Sequence, residues 1–524
     1  MSALLAVPVL LTGLAAALVA GAAAAAGLDA EQCRALDRLK VMNRPGQSFT
    51  NLLSADLVAA SDALPTYCRV LGYVRPAINF ELRLPAEGWN GKLYMAGCGG
   101  FCGTVEADRP GFVNAIGPAL RRGYAVAAMD SGHWGEGPTD GRWAYDNRLA
   151  EVDWGHRAVH ETAIVAKAVI EMAYGTEASR AYFDGCSTGG RMGVMEAIRY
   201  PEDFDGIIAG SPALDYTGLV ATTFAWLVQA NTSEYGSQIL GAKEAALVGR
   251  AVLASCDGVD GLADGLIDDP RRCRFEPEAL LCTGTRAEDC LAPEQIEVLR
   301  RWYGGPRDSE GNQLFPGAVP LGSEPYWWLW LTGNEKGEGR LIPRFADDFL
   351  RYMAFANDPG ETYSALDFDF DLDPANLATM AEIYNATDPD LGRFRQRGGK
   401  LLVWHGLADA IVTPWKTIEY VEEVTERSGG PERTADFLRL FLIPGMDHCG
   451  LTAGPGITQA GFDPLAALER WVEEGTPPAT LLATRRDAEG RTLWRRPVCA
   501  WPLQAVHQGS GDGTRPEEFA CTSP

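Results

Sequence analysis

Apolar residues recur along this chain in short runs that predict a β-sheet covered by helices. From residue 77 to 85 they alternate with polar residues, which is typical of a strand with one buried face. Residues 124–129 form a continuous apolar run, as expected for a strand covered on both faces. Residues 160–174 carry apolar side chains at helical spacing, and Gly175 follows as a stop signal.

The same patterning extends over most of the chain and predicts a mostly parallel sheet. A helix is predicted over residues 190–199, and further strands are predicted over residues 92–96, 181–183, 204–209, 400–404 and 438–443. Strands that alternate with helices indicate an α/β fold with helices on both faces of the sheet.

The regular alternation is lost between residues 213 and 395, where tryptophan, aspartate and proline are abundant. We interpret this stretch as a lid domain inserted into the sheet domain. The core then consists of residues 27–212 and 396–524, and the second part ends in a C-terminal tail.

Residues 1–26 have no charged side chain, and they combine an apolar run with a stretch of alanines. This pattern predicts a secretory signal peptide, although its N-terminal region lacks the usual Lys or Arg. The alternative is an uncleaved membrane anchor, because the apolar run is nearly ~20 residues long. Cleavage would make the protein secreted or periplasmic, without stable membrane association.

The charge balance excludes some partners. The chain has 46 basic and 70 acidic residues, which gives a formal net charge of -24. Nucleic acids and anionic membranes select Lys and Arg patches, so we expect neither as a partner.

The twelve cysteines suit an oxidising compartment, where they tend to form disulfide bonds. Those near each other in the sequence are Cys33 and Cys68, Cys98 and Cys102, Cys256 and Cys273, Cys282 and Cys290, and Cys499 and Cys521. Sequence spacing does not fix their connectivity. Zinc binding is the weaker interpretation, because no CxxC pairs recur and the six histidines are scattered.

The stretch Gly185-Cys186-Ser187-Thr188-Gly189 matches the G-x-S-x-G pattern of a nucleophile elbow. A strand is predicted before it and a helix after it, as the elbow requires. Such a turn exposes the serine hydroxyl and leaves little room for side chains two residues away. We therefore predict that Ser187 is a catalytic nucleophile, with the Thr188 N–H at a helix N-terminus facing developing negative charge.

A serine nucleophile needs a base and an acid that orients the base, and in this fold the order is Ser, Asp or Glu, His. His448 and Asp409 follow predicted strands and have this order. Asp447 is a rival acid, but a residue adjacent to the histidine seldom points at its ring. His405 is interpreted as a loop or core histidine.

Cys186 precedes the serine and Cys449 follows the histidine. If Ser187 and His448 are within hydrogen-bond reach, the two cysteines lie within bridging range. We predict a disulfide bond between the serine turn and the histidine loop, with two buried free thiols as the alternative.

These residues resemble the tannase and feruloyl esterase family. The similarity lies in Gly-Cys-Ser187-x-Gly-Gly, the Asp409 loop and Gly-x-x-His448-Cys449, and it extends from Cys33 to Cys521. The resemblance implies an α/β-hydrolase fold with an inserted lid, and hydrolysis of esters of aromatic acids. It also implies an oxyanion hole formed by the backbone N–H groups of Gly100 and Thr188. A bond between Cys98 and Cys102 would stiffen the loop that carries Gly100.

Residues 256–268 place aspartates three and four positions apart with glycines between them. Crowded carboxylates suit calcium, although an acidic solvated turn is the alternative. The resemblance implies a structural calcium ion in the lid, away from the triad. Its ligands would be the side chains of Asp257, Asp260 and Asp264 and the backbone oxygens of Leu262 and Leu266.

Two other features of the lid have alternative interpretations. The aromatic segment 326–330 could contact an aromatic acyl group or could serve packing. Residues 367–373 alternate Asp with Phe and Leu, which indicates a strand with one solvated face.

Together these features predict a secreted serine carboxylic-ester hydrolase that acts on feruloyl, galloyl or related esters through an acyl-enzyme. No organic cofactor is expected. The alternatives are an acyltransferase that uses an alcohol acceptor and a non-catalytic, secreted binding protein on a hydrolase scaffold.

Overall fold

A computed structural model describes most of the chain, namely residues 27–38, 49–108, 114–284, 289–452 and 454–523. The predicted signal peptide, residues 1–26, lies outside the described residues. Within these ranges, no helix has both the length and the apolar character needed to cross a membrane.

The centre of the structure is a sheet of nine strands. They are β1 Thr50–Val58, β2 Tyr67–Val74, β3 Ile78–Pro85, β4 Lys92–Ala96, β5 Ala125–Met129, β6 Arg180–Cys186, β7 Gly206–Gly210, β8 Lys400–Gly406 and β9 Leu438–Ile443. Their order across the sheet is β1-β2-β3-β5-β4-β6-β7-β8-β9. The strands from β5 to β9 in this order pair in parallel, whereas β1, β2, β3 and β5 pair antiparallel. The predicted mostly parallel sheet is confirmed, with an antiparallel N-terminal edge.

Helices cover both faces of this sheet, as predicted. The α-helices are α1 Ala30–Ala35, α2 Gly117–Arg121, α3 Arg148–Val152, α4 Ala158–Tyr174, α5 Thr188–Arg199, α6 Phe224–Ala230, α7 Ala242–Cys256, α8 Pro293–Gly304, α9 Ile342–Tyr352, α10 Asp373–Asn376, α11 Ala378–Tyr384, α12 Gly392–Gln396, α13 Pro414–Ser428, α14 Pro431–Ala435 and α15 Pro464–Glu474. One hydrophobic cluster joins the sheet to α4, α5 and α13, and a second cluster joins the other face to α2 and α15. Gly175 ends α4 in the left-handed conformation, as its sequence position predicts.

Parallel pairing brings four loops to one edge of the sheet. Cys186, the last residue of β6, pairs with Gly210 at the end of β7. Gly406, the last residue of β8, pairs with Ile443 at the end of β9. The loops that follow β4, β6, β8 and β9 therefore leave from the same edge, where ligands bind in open α/β sheets.

The segment between β7 and β8 (residues 211–399), which we call the insertion segment, holds helices α6 to α12 and, among its described residues, no strand of these sheets. Its buried side chains belong to the same hydrophobic cluster as those of the sheet. The insertion segment is therefore packed onto the sheet over a shared core.

One expectation about local structure is wrong, and one segment is more regular than its sequence pattern indicates. Residues 367–373 form turns that lead into α10 rather than a strand. The tail from about residue 495 shows little periodicity in the sequence, but it holds the end of β11 and a hairpin of its own. Strand β11 Thr492–Cys499 pairs with β10 Thr480–Arg486, and β12 Gln504–His507 pairs with β13 Phe519–Thr522.

All twelve cysteines form disulfide bonds. The pairs are Cys33–Cys68, Cys98–Cys102, Cys186–Cys449, Cys256–Cys273, Cys282–Cys290 and Cys499–Cys521.

Candidate active site

Ser187 lies on a sharp turn between β6 and α5. Its backbone angles are φ 64° and ψ -124°, a combination that costs energy for a residue with a side chain. Gly185 is required for this turn, because a Cβ there would lie 2.6 Å from the carbonyl carbon and oxygen of Gly189. The sequence Gly-x-Ser-x-Gly therefore folds into a strained strand–turn–helix, the conformation that exposes a serine hydroxyl.

His448 and Asp409 form a buried hydrogen-bonded pair in the loops after β9 and β8. His448 Nδ1 is 2.6 Å from Asp409 Oδ2. The other carboxylate oxygen accepts the backbone N–H groups of Ile411 at 3.1 Å and Val412 at 2.8 Å. Because the carboxylate can only accept, Nδ1 of His448 carries a proton and Nε2 is available as a base.

The surroundings of Asp409 keep it ionised. Its burial alone would raise the pKa, but the charge of His448 and hydrogen bonds from His405 and His448 lower the pKa of Asp409 to about 2. A carboxylate that stays ionised holds the imidazole in one tautomer and stabilises the imidazolium form.

His405 is a core histidine that also contacts the acid. Its Nε2 lies 2.7 Å from the carbonyl oxygen of Val412 and 3.4 Å from Asp409 Oδ2, and its Nδ1 lies 2.9 Å from Thr417 Oγ1. A carbonyl only accepts, so Nε2 carries the proton and Nδ1 accepts from Thr417. The contact with Asp409 is absent from the sequence interpretation, although the spacing of four residues brings the two side chains into one loop.

A disulfide bond connects the serine turn to the histidine loop. Cys186 is bonded to Cys449, with their Cα atoms 6.0 Å apart. The two cysteines are 263 positions apart in the sequence. Each is the immediate neighbour of a candidate catalytic residue. The bond therefore holds Ser187 and His448 at the same place on the sheet edge.

Asp447, the rival acid, is bonded elsewhere. Its Oδ1 accepts a hydrogen bond from Trp330 Nε1 at 3.0 Å. Burial first, and then the negative charge of Asp409, raise the pKa of Asp447 to about 7. The geometry favours Asp409 over Asp447 as the partner of His448.

Trp330 belongs to the aromatic segment 326–330 of the insertion segment, for which contact with an acyl group or packing is expected. Its ring lies perpendicular to the His448 ring with centroids 5.5 Å apart. In the same aromatic segment, the Tyr326 hydroxyl donates to the carbonyl oxygen of Gly445 at 2.7 Å. Tyr326, Trp327 and Trp330 are all buried. These contacts support a packing role for the aromatic segment, in which Tyr326 and Trp330 contact the histidine loop.

The glycine-rich loop after β4 lies directly against the serine turn. A Cβ on Gly97 would be 2.8 Å from the Cα of Gly189. Gly100, in the same loop, has φ 59°. Thr188 is the first residue of α5, so its N–H has no partner within the helix. The structure thus brings the residues of both expected oxyanion donors to the serine turn.

The aspartates of the expected calcium loop lie on consecutive turns after α7. Asp257 Oδ1 accepts the N–H groups of Asp264 at 3.0 Å and Gly265 at 2.9 Å. Asp260 Oδ1 and Asp264 Oδ1 accept the N–H groups of Leu262 at 2.9 Å and Leu266 at 3.1 Å.

The negative charge of the crowded carboxylates in this loop is partly neutralised by one arginine. The second oxygen of Asp264 is paired with Arg496. Burial and then the charge of Asp260 raise the pKa of Asp268 to about 7. The donors are oxygens only and the negative charge exceeds the single guanidinium, which is the donor chemistry that calcium prefers.

The loop packs against the segment that leads to the histidine. A Cβ on Gly445 would be 2.4 Å from Leu266 Cδ2, so the Leu266 side chain contacts Gly445. Gly445 is three residues before His448.

A different set of side chains groups most closely around one point. Among the described residues, ligating atoms of His160, Glu196 and Asp203 lie within 4.8 Å of one another. His160 Nδ1 is 2.6 Å from Asp203 Oδ2, and burial with the charge of Asp203 raises the pKa of Glu196. His160 and Asp203 are paired with each other, and we do not interpret the group as a metal centre.

Comparison with known proteins agrees with this geometry. A sequence model of the family described as tannase and feruloyl esterase matches residues 63–522. The chain is 32% identical over 536 residues to the mono(2-hydroxyethyl) terephthalate hydrolase of Piscinibacter sakaiensis, covering 90% of this chain and 87% of the relative. It is 33% identical over 470 residues to a probable feruloyl esterase of Arthroderma benhamiae, covering 85% of this chain and 82% of the relative.

A solved structure shows the same fold. The crystal structure of feruloyl esterase B from Aspergillus oryzae superposes with a TM-score of 0.81 at 26% identity, covering 94% of this chain and 100% of that chain. The predicted α/β-hydrolase fold is confirmed.

Proposed function

Because this chain belongs to the tannase and feruloyl esterase family and is a carboxylic ester hydrolase, we propose that it is an exported serine esterase acting on esters of aromatic acids. One observation carries the proposal. His448 is bonded to Asp409 at 2.6 Å, and the residue after His448 is bonded by a disulfide to the residue before Ser187. A strained serine turn, a candidate base and an ionised acid at one edge of the sheet support a Ser187–His448–Asp409 triad.

In the first half of the reaction, the Ser187 hydroxyl attacks the ester carbonyl carbon while Nε2 of His448 takes its proton. The tetrahedral intermediate then collapses, and His448 gives the proton to the departing alcohol. In the second half, His448 takes a proton from water as the water oxygen attacks the acyl-enzyme carbonyl carbon. The second tetrahedral intermediate collapses, the bond to Ser187 breaks, and His448 returns the proton to the Ser187 oxygen as the aromatic acid is released. Asp409 keeps the proton on Nδ1 and stabilises the imidazolium throughout.

Negative charge develops on the carbonyl oxygen in both halves. The N–H groups of Gly100 and Thr188 are the proposed donors, supported by the packing of the Gly100 loop against the serine turn. Fixed backbone donors of this kind lower the barrier because they need no reorganisation as the charge forms.

Replacing the nucleophile tests the proposal. Ser187→Ala removes the hydroxyl, and we expect kcat for methyl ferulate to fall by about 10⁴-fold or more with little change in folding. Full activity in this variant would contradict the mechanism. Product analysis with and without added ethanol separates hydrolysis from transfer, because transfer would form ethyl ferulate, and the proposal predicts that ferulic acid remains the main product.

The names of the relatives suggest the substrate class. A feruloyl ester, a galloyl ester or a mono-ester of terephthalic acid is the expected type of substrate. A panel of methyl ferulate, methyl gallate, mono(2-hydroxyethyl) terephthalate and methyl butyrate compares these acyl groups directly. The highest kcat/KM should belong to one of the aromatic esters, and preference for butyrate would overturn the assignment.

We also propose a calcium ion bound by the side chains of Asp257, Asp260 and Asp264 and the backbone oxygens of Leu262 and Leu266. The ion would neutralise crowded carboxylates and stabilise the loop that touches Gly445. It takes no part in the reaction steps.

Metal content and thermal stability test the calcium site without an activity assay. Elemental analysis should find about one calcium per chain, and a chelator should lower the melting temperature. Asp260→Asn should abolish both effects, whereas Glu294→Gln, an exposed carboxylate outside the loop, should leave them intact. Equal calcium content in the two variants would refute the site.

Export is supported by the six disulfide bonds, which form and persist in oxidising compartments. The signal segment predicts that the mature protein begins near residue 27. Intact mass and N-terminal sequencing of the exported protein measure this directly, and a retained N-terminus in the membrane fraction would contradict cleavage.

A further inference from the structure

The side chain of Thr188 bonds to the other residue of the proposed oxyanion hole. Its hydroxyl donates to the carbonyl oxygen of Gly100 at 2.7 Å, and the residue is 1% exposed. Thr188 lies in the serine turn and Gly100 in the loop after β4. We propose that this hydroxyl sets the relative position of the two backbone donors, so that Thr188 is a positioning residue for ester hydrolysis. The inference rests on the proposed function.

The peptide that supplies the Gly100 N–H is fixed within its own loop. The carbonyl of that peptide belongs to Gly99 and accepts from the N–H of Cys102 at 3.0 Å. The Cys98–Cys102 disulfide closes the same turn. These bonds define the shape of the loop, but they do not connect it to the serine turn.

The following peptide, between Gly100 and Phe101, is held at both ends by hydrogen bonds to residues outside the loop. Its carbonyl, that of Gly100, accepts from Thr188, and its N–H, that of Phe101, donates to the carbonyl of Pro138 at 2.8 Å. Only glycine allows this approach, because a Cβ on Gly100 would lie 2.4 Å from the Pro138 oxygen. With this peptide fixed, the direction of the Gly100 N–H follows from the backbone angles of one residue.

The Thr188 hydroxyl donates its hydrogen bond to one acceptor, the carbonyl oxygen of Gly100. A carbonyl can only accept, so Thr188 donates to Gly100. The Tyr216 hydroxyl lies 3.4 Å from Thr188 Oγ1 and can donate to it. Burial raises the pKa of Tyr216 to about 12, which keeps this donor protonated. The direction of the Thr188 bond is therefore set by its neighbours.

The role of the hydroxyl can be separated from the role of the backbone N–H. Thr188→Val keeps the N–H and the side-chain shape but loses the O–H, whereas Thr188→Ser keeps the O–H. A displaced oxyanion donor costs about 10²-fold in rate. We expect Thr188→Val to lower kcat for methyl ferulate by about 10–100-fold with KM changed less than about threefold, and Thr188→Ser to recover most of that loss.

Thr223→Val is the matched control. Thr223 is a buried threonine of the insertion segment whose hydroxyl donates to the carbonyl of Gly218 at 3.1 Å. Thr223→Val makes the same chemical change as Thr188→Val. We therefore expect it to lower the melting temperature by a similar amount and to leave kcat at the wild-type value. A purely structural role of Thr188 would give the two valine variants the same kinetic behaviour.

Inhibitors provide the second readout. Phenylboronic acid forms a tetrahedral adduct with a serine nucleophile and uses the oxyanion donors, whereas the product ferulic acid does not need them. Thr188→Val should weaken boronate inhibition by about the factor lost in kcat and leave inhibition by ferulic acid unchanged.

Different results would overturn the positioning role of Thr188 and the proposed function on which it rests. Wild-type kcat and boronate affinity in Thr188→Val would overturn the positioning role of Thr188. Activity that persists in Ser187→Ala would overturn the proposed function itself, whatever the behaviour of the Thr188 variants.

Discussion

The disulfide between Cys186 and Cys449 should stabilise both the fold and the catalytic geometry. The perturbation is the double variant Cys186→Ala/Cys449→Ala. Because the two residues are 263 positions apart, their bond closes the longest loop among the six disulfides. The chain-entropy relation gives about 5–6 kcal/mol for a loop of this length.

A second double variant, Cys282→Ala/Cys290→Ala, provides a comparison for the expected loss of stability. Cys282 and Cys290 are separated by 8 positions, and the same relation gives about 2–3 kcal/mol for their loop. Unfolding entropy near 2.1 cal/mol/K per residue, over 524 residues, corresponds to about 1 kcal/mol per °C. We expect the melting temperature to fall by about 5 °C without Cys186–Cys449 and by about 2–3 °C without Cys282–Cys290.

The assay combines thermal unfolding with kinetics at 25 °C, where both variants remain folded. Loss of Cys186–Cys449 should lower kcat by about 10-fold or more, because the serine turn and the histidine loop are no longer tied. Loss of Cys282–Cys290 should leave kcat unchanged. The reasoning is refuted if the two double variants lose equal stability and neither loses activity.

Three further predictions concern the base and its surroundings. Asp409→Asn should lower kcat by about 10³–10⁴-fold, whereas Asp447→Asn should stay within about threefold of wild type; the reverse ranking in ester hydrolysis would assign the acid to Asp447. The raised pKa of Asp447, about 7, means that the folded protein holds a proton that the unfolded chain loses above about 4, so this group's contribution to stability falls as pH rises from about 4 to 7. Asp447→Asn should therefore gain stability relative to wild type between pH 5 and pH 8, by at most about 4 kcal/mol; thermal unfolding that shows a constant difference would contradict this. Trp330→Phe removes the N–H donor of a buried carboxyl and should cost about 1–3 kcal/mol in denaturant unfolding; this cost should largely vanish in an Asp447→Leu background, which has no acceptor, and an equal cost in both backgrounds would show that the bond is not its source.

The central sheet could be predicted because strands buried on both faces read as continuous apolar runs. Strands β5, β7 and β8 have this character. The edge strand β1 alternates irregularly between buried and exposed positions and was not predicted. Edge strands and hairpins depend on partners distant in the sequence, which a local pattern does not contain.

The alternating aspartates of residues 367–373 show how a period of two can mislead. In the structure, Asp369 Oδ1 accepts the N–H of Asp371 at 2.9 Å, and Asp373 Oδ2 accepts the N–H of Asp369 at 2.9 Å. Aspartate side chains that bond nearby backbone amides stabilise turns. The alternation arises from these turns and does not reflect the two faces of a strand.

The candidate site likewise has residues that the sequence predicts and contacts that it does not predict. Ser187, Asp409 and His448 could be proposed because strand ends and residue order restrict where they lie. The Trp330–Asp447 and Thr188–Gly100 hydrogen bonds could not, because each joins segments whose relative position only the folded chain determines. Sequence order therefore indicates the reacting groups, and tertiary packing determines how they are held.

Covalent labelling of the nucleophile tests the central claim most directly. The folded protein is incubated with an aryl phosphonate, and the adduct is located by intact mass and peptide mapping. We predict one adduct per chain, on Ser187, formed at the rate at which hydrolytic activity is lost and absent from Ser187→Ala. Loss of activity with the adduct on another residue, or continued hydrolysis after Ser187 is fully labelled, would contradict the assignment.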